Sequence, residues 1–182
     1  MKNGLIYLLL GFALVCSSAC VEEQDFDQLE DLQVTPTIEA SILYIESPES
    51  VINLATGISF YANTFNFDAF NETFFADKVL DGVVIYEVEN TTSKELDITV
   101  EFLDEAGNAL DIEQFSVNPA PTALLRTEIA YGPGGRSLDI IRNTSAIRVS
   151  ATNLGDNTSV SNLPDPKIIL RSSGRFRIEL VQ

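Results

Sequence analysis

The sequence predicts an all-β fold in which antiparallel strands form a β-sandwich. From Ile38 onward, apolar and polar side chains alternate in short segments, and this period of two is typical of half-buried strands. Clusters of Gly, Asn, Asp, Ser and Thr, which favour turns, separate the segments. No long stretch has the 3.6-residue period of an amphipathic helix. Many short strands joined by turns favour two packed sheets.

The clearest strand is predicted over residues 95–102, where apolar side chains at even positions and polar ones at odd positions fall on opposite faces. Residues 83–89 are rich in β-branched side chains and predict the strand before it. The turn cluster at residues 90–93 lies between the two, so we expect them to form a hairpin. Gly107 lies in the following turn, where it can adopt a positive φ.

The remaining strands are predicted at residues 39–45, 113–117, 123–131, 146–152, 168–171 and 175–181. Ser172-Ser173-Gly174 predicts a turn between the last two. Two segments stay open, since residues 136–143 fit either a short helix or irregular chain and residues 70–80 carry an ambiguous helical stripe. We therefore expect a single β-sandwich domain over residues 37–182.

Residues 83–110, VVIYEVENTTSKELDITVEFLDEAGNAL, resemble extracytoplasmic immunoglobulin-like modules of the FxLYD type. Such modules run from a strand through an Asn-Thr turn to an alternating strand that ends in an aromatic residue and an aspartate, followed by a Gly turn. The matching elements are Asn90-Thr91, Phe102-Leu103-Asp104 and Gly107-Asn108, although the full aromatic-x-Leu-Tyr-Asp string is absent. The resemblance implies an immunoglobulin-like β-sandwich and no particular function, because such folds host many functions.

Residues 1–19 have the parts of an export signal, namely Lys2, an apolar run over residues 5–15, and small residues before Cys20. The run is shorter than the roughly 20 residues that a membrane-spanning helix needs. The segment resembles a bacterial lipoprotein signal. In that family the lipobox cysteine receives a diacylglyceryl thioether, and a peptidase cuts just before it. The resemblance implies that Cys20 is the lipidated residue and the new N-terminus.

An ordinary signal peptide is the alternative to a lipid anchor, and the final location could be either side of the outer membrane. Ser17 stands where the lipoprotein family prefers Leu, and an ordinary signal cut after Ala19 would also satisfy the small-residue rule. Residues 20–36 are acidic and polar, and they predict a tether between the lipid and the domain. The acidic run after Cys20 resembles the surface-export signal of Bacteroidetes-type lipoproteins. This resemblance implies a cell-envelope location in the outer membrane, on its periplasmic or its outer side.

The composition argues against several kinds of chemistry. The chain has no histidine, which removes Ser-His-Asp and Cys-His arrangements and His-based zinc sites. Its two cysteines are Cys16 and Cys20, so the domain itself has no thiol for a disulfide or a metal. A net charge of −16 disfavours binding to nucleic acid. We therefore predict no enzymatic activity, no cofactor, no catalytic residue and no metal site.

Charge is distributed unevenly along the chain. Residues 1–113 hold 22 acidic and 3 basic residues, whereas residues 114–182 hold 5 acidic and 8 basic ones. The late arginines could face an acidic partner or the chain's own acidic half. The simplest interpretation is that they are solvated charges on strand faces.

Several further patterns have a structural interpretation that is simpler than a functional one. The glycine-rich residues 132–136 lack a phosphate-binding fingerprint and predict a turn. The aromatic-dense residues 60–75 predict core packing more strongly than a sugar platform. The acidic residues 25–31 predict a charged tether more strongly than a calcium site. Asn-x-Ser/Thr motifs, which here reflect turn chemistry, begin at Asn71, Asn90, Asn143 and Asn157.

Together these features favour a membrane-anchored cell-envelope lipoprotein that acts as a non-catalytic binding or structural module through a protein partner. A loop end or an exposed strand edge would be the contact surface. A carbohydrate- or calcium-binding surface module is the first alternative. A hydrolase is the second, and it would use paired carboxylates or a serine with Lys78, Lys94 or Lys167. The sequence identifies neither the partner nor a ligand.

We expect Cys20→Ser to abolish fatty-acid incorporation, because the thiol that forms the thioether is lost. Labelling whole cells with a palmitate analogue and purifying the full chain measures this. Cys16→Ser is the matched control and should label like the wild type. Equal labelling of Cys20→Ser and the wild type would contradict the lipid anchor.

Overall fold

The computed structural model describes residues 34–55, 58–70 and 72–180. This part of the chain contains eight strands and three short helices. The strands are β1 (Thr37–Pro48), β2 (Ser59–Asn66), β3 (Val79–Asn90), β4 (Leu96–Leu103), β5 (Ala109–Val117), β6 (Leu125–Tyr131), β7 (Ala146–Asn153) and β8 (Lys167–Ile178). The helices are α1 (Glu49–Ile52), α2 (Thr73–Ala76) and α3 (Leu138–Asn143). Strand β2 has no counterpart among the predicted strands.

The strands form two four-stranded antiparallel sheets, which confirms the predicted all-β antiparallel sandwich. Sheet I has the order β1-β8-β3-β6, and sheet II has the order β2-β7-β4-β5. Consecutive strands alternate between the sheets, except β4 and β5, and this is the order of an eight-stranded jelly roll. An immunoglobulin domain groups its strands as ABED and CFG. The strand order therefore differs from the immunoglobulin-like order that the resemblance implied.

This topology places the connections at two opposite ends of the sandwich. We call the end where β1 finishes the apex, and it carries the loops that follow β1, β3, β5 and β7. Hydrogen bonds join these loops, as between the Thr91 N–H and the Lys167 carbonyl at 2.9 Å. We call the opposite end the base, where β1 begins and where Val34 bridges Leu180. The base carries the loops that follow β2, β4 and β6.

The hairpin predicted around residues 90–93 is wrong. Strand β3 pairs with β6 and β8, whereas β4 pairs with β5 and β7, so this turn carries the chain from one sheet to the other. The Asn90 carboxamide oxygen accepts from the Thr92 N–H at 2.9 Å and from the Thr92 hydroxyl at 2.7 Å. These bonds stabilise a corner at which the chain crosses between the sheets. Turn-forming residues favour such a corner as much as they favour a hairpin. Alternation identifies a strand's buried face, and it does not identify the strand's neighbours.

The turn predicted at Ser172-Ser173-Gly174 is also wrong, because β8 runs through it without a break. The ring of Phe176 lies over the backbone of Gly174 and over that of Gly82, the residue of β3 paired with Phe176. A Cβ atom at either glycine would overlap the ring atoms. Glycine stands in these strands because an aromatic side chain occupies the space of a Cβ. Gly174 was interpreted as a turn residue, but it is required because the Phe176 ring occupies the space of its Cβ atom.

The core between the sheets is aromatic toward the base. The ring of Phe70 lies 4.7 Å from that of Phe67, 5.3 Å from that of Phe75 and 5.1 Å from that of Phe176, measured between centroids. Phe70 and Phe75 are buried, which confirms the core interpretation of the aromatic segment. Phe74 is the exception, with 58% of its surface exposed. Burying a side chain such as that of Phe70 or Phe75 contributes on the order of 1.5–3 kcal/mol to the stability of the fold.

Basic residues of the second half of the chain pair with acidic residues of the first half. All eight lysines and arginines beyond residue 113 form ion pairs, and only Arg142 has no partner before that residue. Arg148 and Glu101 are direct neighbours on β7 and β4, at 2.5 Å. Arg175 and Glu39 are direct neighbours on β8 and β1, at 3.7 Å. The alternative that these residues face the chain's own acidic half is confirmed.

We expect Gly174→Ala to lower the free energy of unfolding by about 1–3 kcal/mol, because the added methyl group must displace the Phe176 ring. Urea denaturation of the full chain, followed by circular dichroism, measures the change. Ser173→Ala is the control, since Ser173 lies next to it and faces outward. Equal unfolding midpoints for the two variants would show that the ring does not constrain this position.

Candidate functional site

The apex is built around a carboxylate that the fold removes from water. Glu49 is the first residue of α1 and is 2% exposed. Its Oε1 accepts from the Ser93 N–H at 2.7 Å and from the Ser93 hydroxyl at 2.6 Å, and its Oε2 accepts from the Ser161 N–H at 2.9 Å. Glu49 thus joins three apex loops. Burial tends to raise its pKa, but these hydrogen bonds and the charge of Lys94 hold the pKa below its usual range.

A lysine in the same region is buried completely. The Lys94 side chain has no exposed surface, and its Nζ donates to Asp156 Oδ1 at 3.0 Å, to the Ser159 carbonyl at 2.7 Å and to the Ser159 hydroxyl at 2.7 Å. Asp156 also accepts from the N–H groups of Thr158 and Ser159 at 2.8 and 2.6 Å. These backbone bonds, ahead of the Lys94 ammonium, lower the pKa of Asp156 well below its usual range.

The two charged groups belong to one continuous network. The hydroxyls of Ser93 and Ser159 lie 3.1 Å apart and connect the Glu49 side to the Lys94 side. We call this set the apex network, and its members are Glu49, Ser93, Lys94, Asp156, Ser159 and Ser161. Each charged member has polar partners, as a buried charge requires. The network fixes the loops after β1, β3 and β7 relative to one another.

The contact between Lys94 and Ser159 is the geometry that a Ser-Lys hydrolase would need. However, the protons of the Lys94 ammonium are already donated to other groups. A general base needs an unoccupied lone pair on the amine. All three protons of the Lys94 ammonium have acceptors, one of which is a carboxylate. Lys78 lies over the Phe74 ring at 5.2 Å, and Lys167 pairs with Glu46 and Asp165. This arrangement suits a structural ammonium.

Buried amides extend the polar structure of the apex. Asn90 is 3% exposed and donates both protons of its carboxamide, to the Lys94 carbonyl at 2.8 Å and to the Asn118 carbonyl at 2.9 Å. Asn153 donates to the Asp156 carbonyl and accepts from the Gly155 N–H. The Asn-x-Thr motif at Asn90 is therefore turn chemistry, as predicted.

The apex loops expose several large apolar side chains beside polar ones such as Asn157 and Asp165. Seven of the large apolar side chains that are exposed in the described residues lie on its loops, and Leu54 is the most exposed of them at 85%. They are Val51, Leu54, Ile58, Leu124, Leu154, Val160 and Leu163. Hydrogen bonds bring the two main loops together, since the Asn53 amide donates to the Ser159 carbonyl at 3.4 Å. Exposed aliphatic side chains grouped on adjacent loops are typical of an interaction surface.

A second ionic cluster joins the two sheets at the base. Arg136 follows β6 of sheet I and pairs with Asp111, at 2.6 Å, and with Glu113, both on β5 of sheet II. The Tyr131 hydroxyl donates to the same Asp111 at 2.8 Å. Burial, and then this bond to a carboxylate, raise the pKa of Tyr131 far above its usual range. The cluster closes the β5–β6 side of the sandwich.

The other predicted sites separate into those that the structure describes and those that it does not. Cys20 and the acidic residues 25–31 lie outside the described residues. The glycine-rich loop is a tight turn, as predicted, with Gly132 and Gly134 at φ values of 106° and 85°. Among the described residues, no three His, Cys, Asp or Glu side chains are placed to hold a metal ion. No helix in that part of the chain is long and apolar enough to cross a membrane.

Sequence reasoning missed Glu49 and Asp156 as members of a site. A signal existed for Asp156, because an aspartate followed two and three residues later by Thr158 and Ser159 favours a turn in which the carboxylate accepts backbone N–H groups. No signal existed for Glu49, whose partners lie 44 and 112 residues away in the sequence.

Comparison with known proteins adds no family. No protein-family model matches the chain, and no curated protein matches it. Among solved structures it is similar to turnip yellow mosaic virus, at 9% identity and a TM-score of 0.38, over 83% of this chain and 96% of that one. It is similar to a Bacillus endospore appendage of disulfide-linked pili, at 11% identity and a TM-score of 0.36, over 79% of this chain and 89% of that one.

A third similar structure is the VP2 subviral particle of infectious bursal disease virus, at 10% identity and a TM-score of 0.35. That match covers 84% of this chain, which spans only 34% of the viral protein. At TM-scores this low, the likenesses identify neither a family nor a function.

We expect Lys94→Met to lower the free energy of unfolding by about 1.5–3 kcal/mol, because it removes the three hydrogen bonds of a buried ammonium, one of them to a carboxylate. Lys167→Met is the matched control, since Lys167 is partly exposed and its ion pairs contribute at most about 1 kcal/mol. Urea denaturation of both full-length variants measures the difference. Equal losses would show that the apex network does not stabilise the fold.

Proposed function

We propose that this protein is a lipid-anchored lipoprotein of the cell envelope whose domain is a non-catalytic binding module. Its anchor is the acylated Cys20, its location is the outer membrane, and its partner is a protein that contacts the apex. One observation carries the proposal. The exposed aliphatic side chains of the apex, except Leu124, lie on loops that the apex network joins to one another.

Rigid loops with exposed apolar side chains suit binding better than they suit any structural purpose. Ordering a loop when a partner arrives costs free energy, and a loop that is already ordered avoids that cost. Leu54, Ile58 and Val160 each expose more than half of their surface, so they contribute little to the stability of the domain. Exposed apolar side chains are common singly. Seven at one end of the domain are not explained by that tendency.

The placement of the two ends supports a partner that lies away from the membrane. The described chain begins at the base, where Val34 bridges Leu180, and the predicted tether of residues 20–36 leads to that end. Strand β1 then runs 12 residues toward the apex, which at about 3.3 Å per residue is a distance of about 40 Å. An anchor at Cys20 would hold the base toward the lipid and leave the apex accessible.

A protein partner suits the chemistry of this surface better than the alternatives at the same place do. Its exposed side chains are aliphatic, so they provide area for burial and few hydrogen bonds for a sugar. The polar groups beneath them already have partners in the apex network. A partner with a complementary apolar surface would gain the free energy of burying these side chains.

We expect the double variant Leu54→Ser/Val160→Ser to weaken partner binding at least about tenfold, because central apolar contacts dominate interface energies. The partner is first identified by cross-linking and purification of the full chain from membranes, and then its affinity for the purified full chain is measured. Phe74→Ser is the matched control, since Phe74 is exposed at the base. It should bind like the wild type.

Three outcomes would decide the matter. Loss of binding in the apex variant alone supports the proposal, provided that its unfolding midpoint equals that of the wild type. Equal weakening by Phe74→Ser would contradict the apex as the contact surface. A Cys20→Ser chain that binds the purified partner normally but is lost from the membrane would separate anchoring from binding, as the proposal requires.

A further inference from the structure

A continuous groove crosses the outer face of sheet I, on a surface distinct from the apex. It consists of two adjoining hollows of about 220 and 250 Å³, which share Ser41, Ile85 and Ser173. A third hollow, of about 310 Å³, lies beyond Arg175 on the same face. From its shape and its side chains, we propose that this groove binds a neutral oligosaccharide.

The floor of the groove is a row of small and aliphatic residues. Ser173 on β8 is paired with Ser41 on β1 and with Ile85 on β3, so the three lie side by side across the sheet. Longer side chains flank this row on both sides. Arg171 and Glu87 stand on one side and Arg175 on the other, and they raise the walls above the floor. Together the hollows have the size of an ordinary ligand site, which is about 300–1,000 Å³.

The charges of the walls are balanced within the face. Arg175 pairs with Glu39 at 3.7 Å, Arg171 pairs with Glu89 at 3.5 Å, and Arg177 pairs with Asp81. A strongly charged ligand would be repelled by the groups of like charge about as much as it is attracted by those of opposite charge. A hydroxyl group both donates and accepts, so a ligand rich in hydroxyls can bond to a guanidinium and to a carboxylate in the same wall. The wall therefore favours a neutral sugar over an acidic or basic ligand.

An aromatic side chain completes the site. Tyr44 lines the first hollow with 61% of its surface exposed. Its hydroxyl donates to Glu46 Oε2 at 2.8 Å, and the Arg171 guanidinium lies over one face of the ring, 6.0 Å from its centroid. These contacts orient the ring, and 61% of the residue's surface stays exposed. An exposed, oriented tyrosine offers a flat apolar face to the C–H side of a sugar ring and a polar edge to its hydroxyls.

The location of this platform differs from the one that the sequence suggested. Apart from Phe74, the aromatic side chains of residues 60–75 pack in or against the core. Tyr44 lies outside that segment and gained its neighbours by strand pairing. The groove lies on a sheet face, where backbone groups are already paired within sheet I. An added peptide strand would find no backbone partners there, and side-chain hydroxyls, guanidinium groups and carboxylates are what a ligand can reach.

The test uses the full chain in a detergent without a sugar head group, such as lauryldimethylamine oxide. Neutral tetrasaccharides of β-1,4-linked glucose, α-1,4-linked glucose, mannose, xylose and N-acetylglucosamine are titrated to about 10 mM, which detects millimolar dissociation constants. Tetragalacturonate is the acidic counterpart. Backbone amide resonances report binding and its position. We expect at least one neutral tetrasaccharide to shift the amides of Ser41, Ile85 and Ser173.

Tyr44→Ala should weaken that binding about tenfold, because the stacking face is removed. Phe74→Ala is the matched control for loss of an exposed aromatic side chain, and it should leave the affinity unchanged. The proposal is overturned if no neutral tetrasaccharide shifts these amides, if tetragalacturonate binds there more tightly than every neutral sugar, or if Tyr44→Ala binds like the wild type. Because the apex variants and the groove variants change different surfaces, either proposal can fail without the other.

Discussion

Pairing between the two halves of the chain is the constraint on which the rest of the structure depends. Strand β8 lies between β1 and β3, and β7 lies between β2 and β4, so each sheet has a late strand inside two early ones. The early strands supply carboxylates and the late strands supply arginines, and the pairs meet across neighbouring strands. Exposed pairs of this kind contribute little stability each. Their effect is on register, because a shift of one residue would remove the partners and expose the core face.

The apex depends on this pairing. Insertion of β8 next to β1 brings the loop before β8 against the loop after β1, and only then does Glu49 reach Ser161. The buried ammonium of Lys94 and its acceptors cost free energy to desolvate, and hydrogen bonds offset that cost only where the geometry is good. The result is a set of loops that hydrogen bonds join in their interior and that expose seven aliphatic side chains. The groove on sheet I has the same origin, because its floor combines residues of β1, β3 and β8.

The sequence predicted most of the strands and little of their arrangement. Alternation located β4 to within a residue at each end, and β7 was located as closely, because one face of each is apolar. The β-branched residues 83–89 located the end of β3 to within a residue, but its start lies four residues earlier. The turn residues 90–93 and 172–174 misled for different reasons. The first group serves a corner between sheets as well as it would serve a hairpin. The second contains Gly174, where a Cβ atom would overlap the Phe176 ring. A residue selected by packing was therefore interpreted as a turn residue.

What the sequence determined by itself was local. It determined the β class of the domain, the absence of histidine and of a thiol beyond Cys20, and the opposite charge of the two halves, because each of these follows from composition or from neighbouring residues. The tertiary structure decided which strands are neighbours, and therefore the jelly-roll order, the apex network and the groove. The physical reason is distance along the chain. Glu49 and Ser161, or Ser41 and Ser173, share no local pattern, and only strand pairing brings their atoms together.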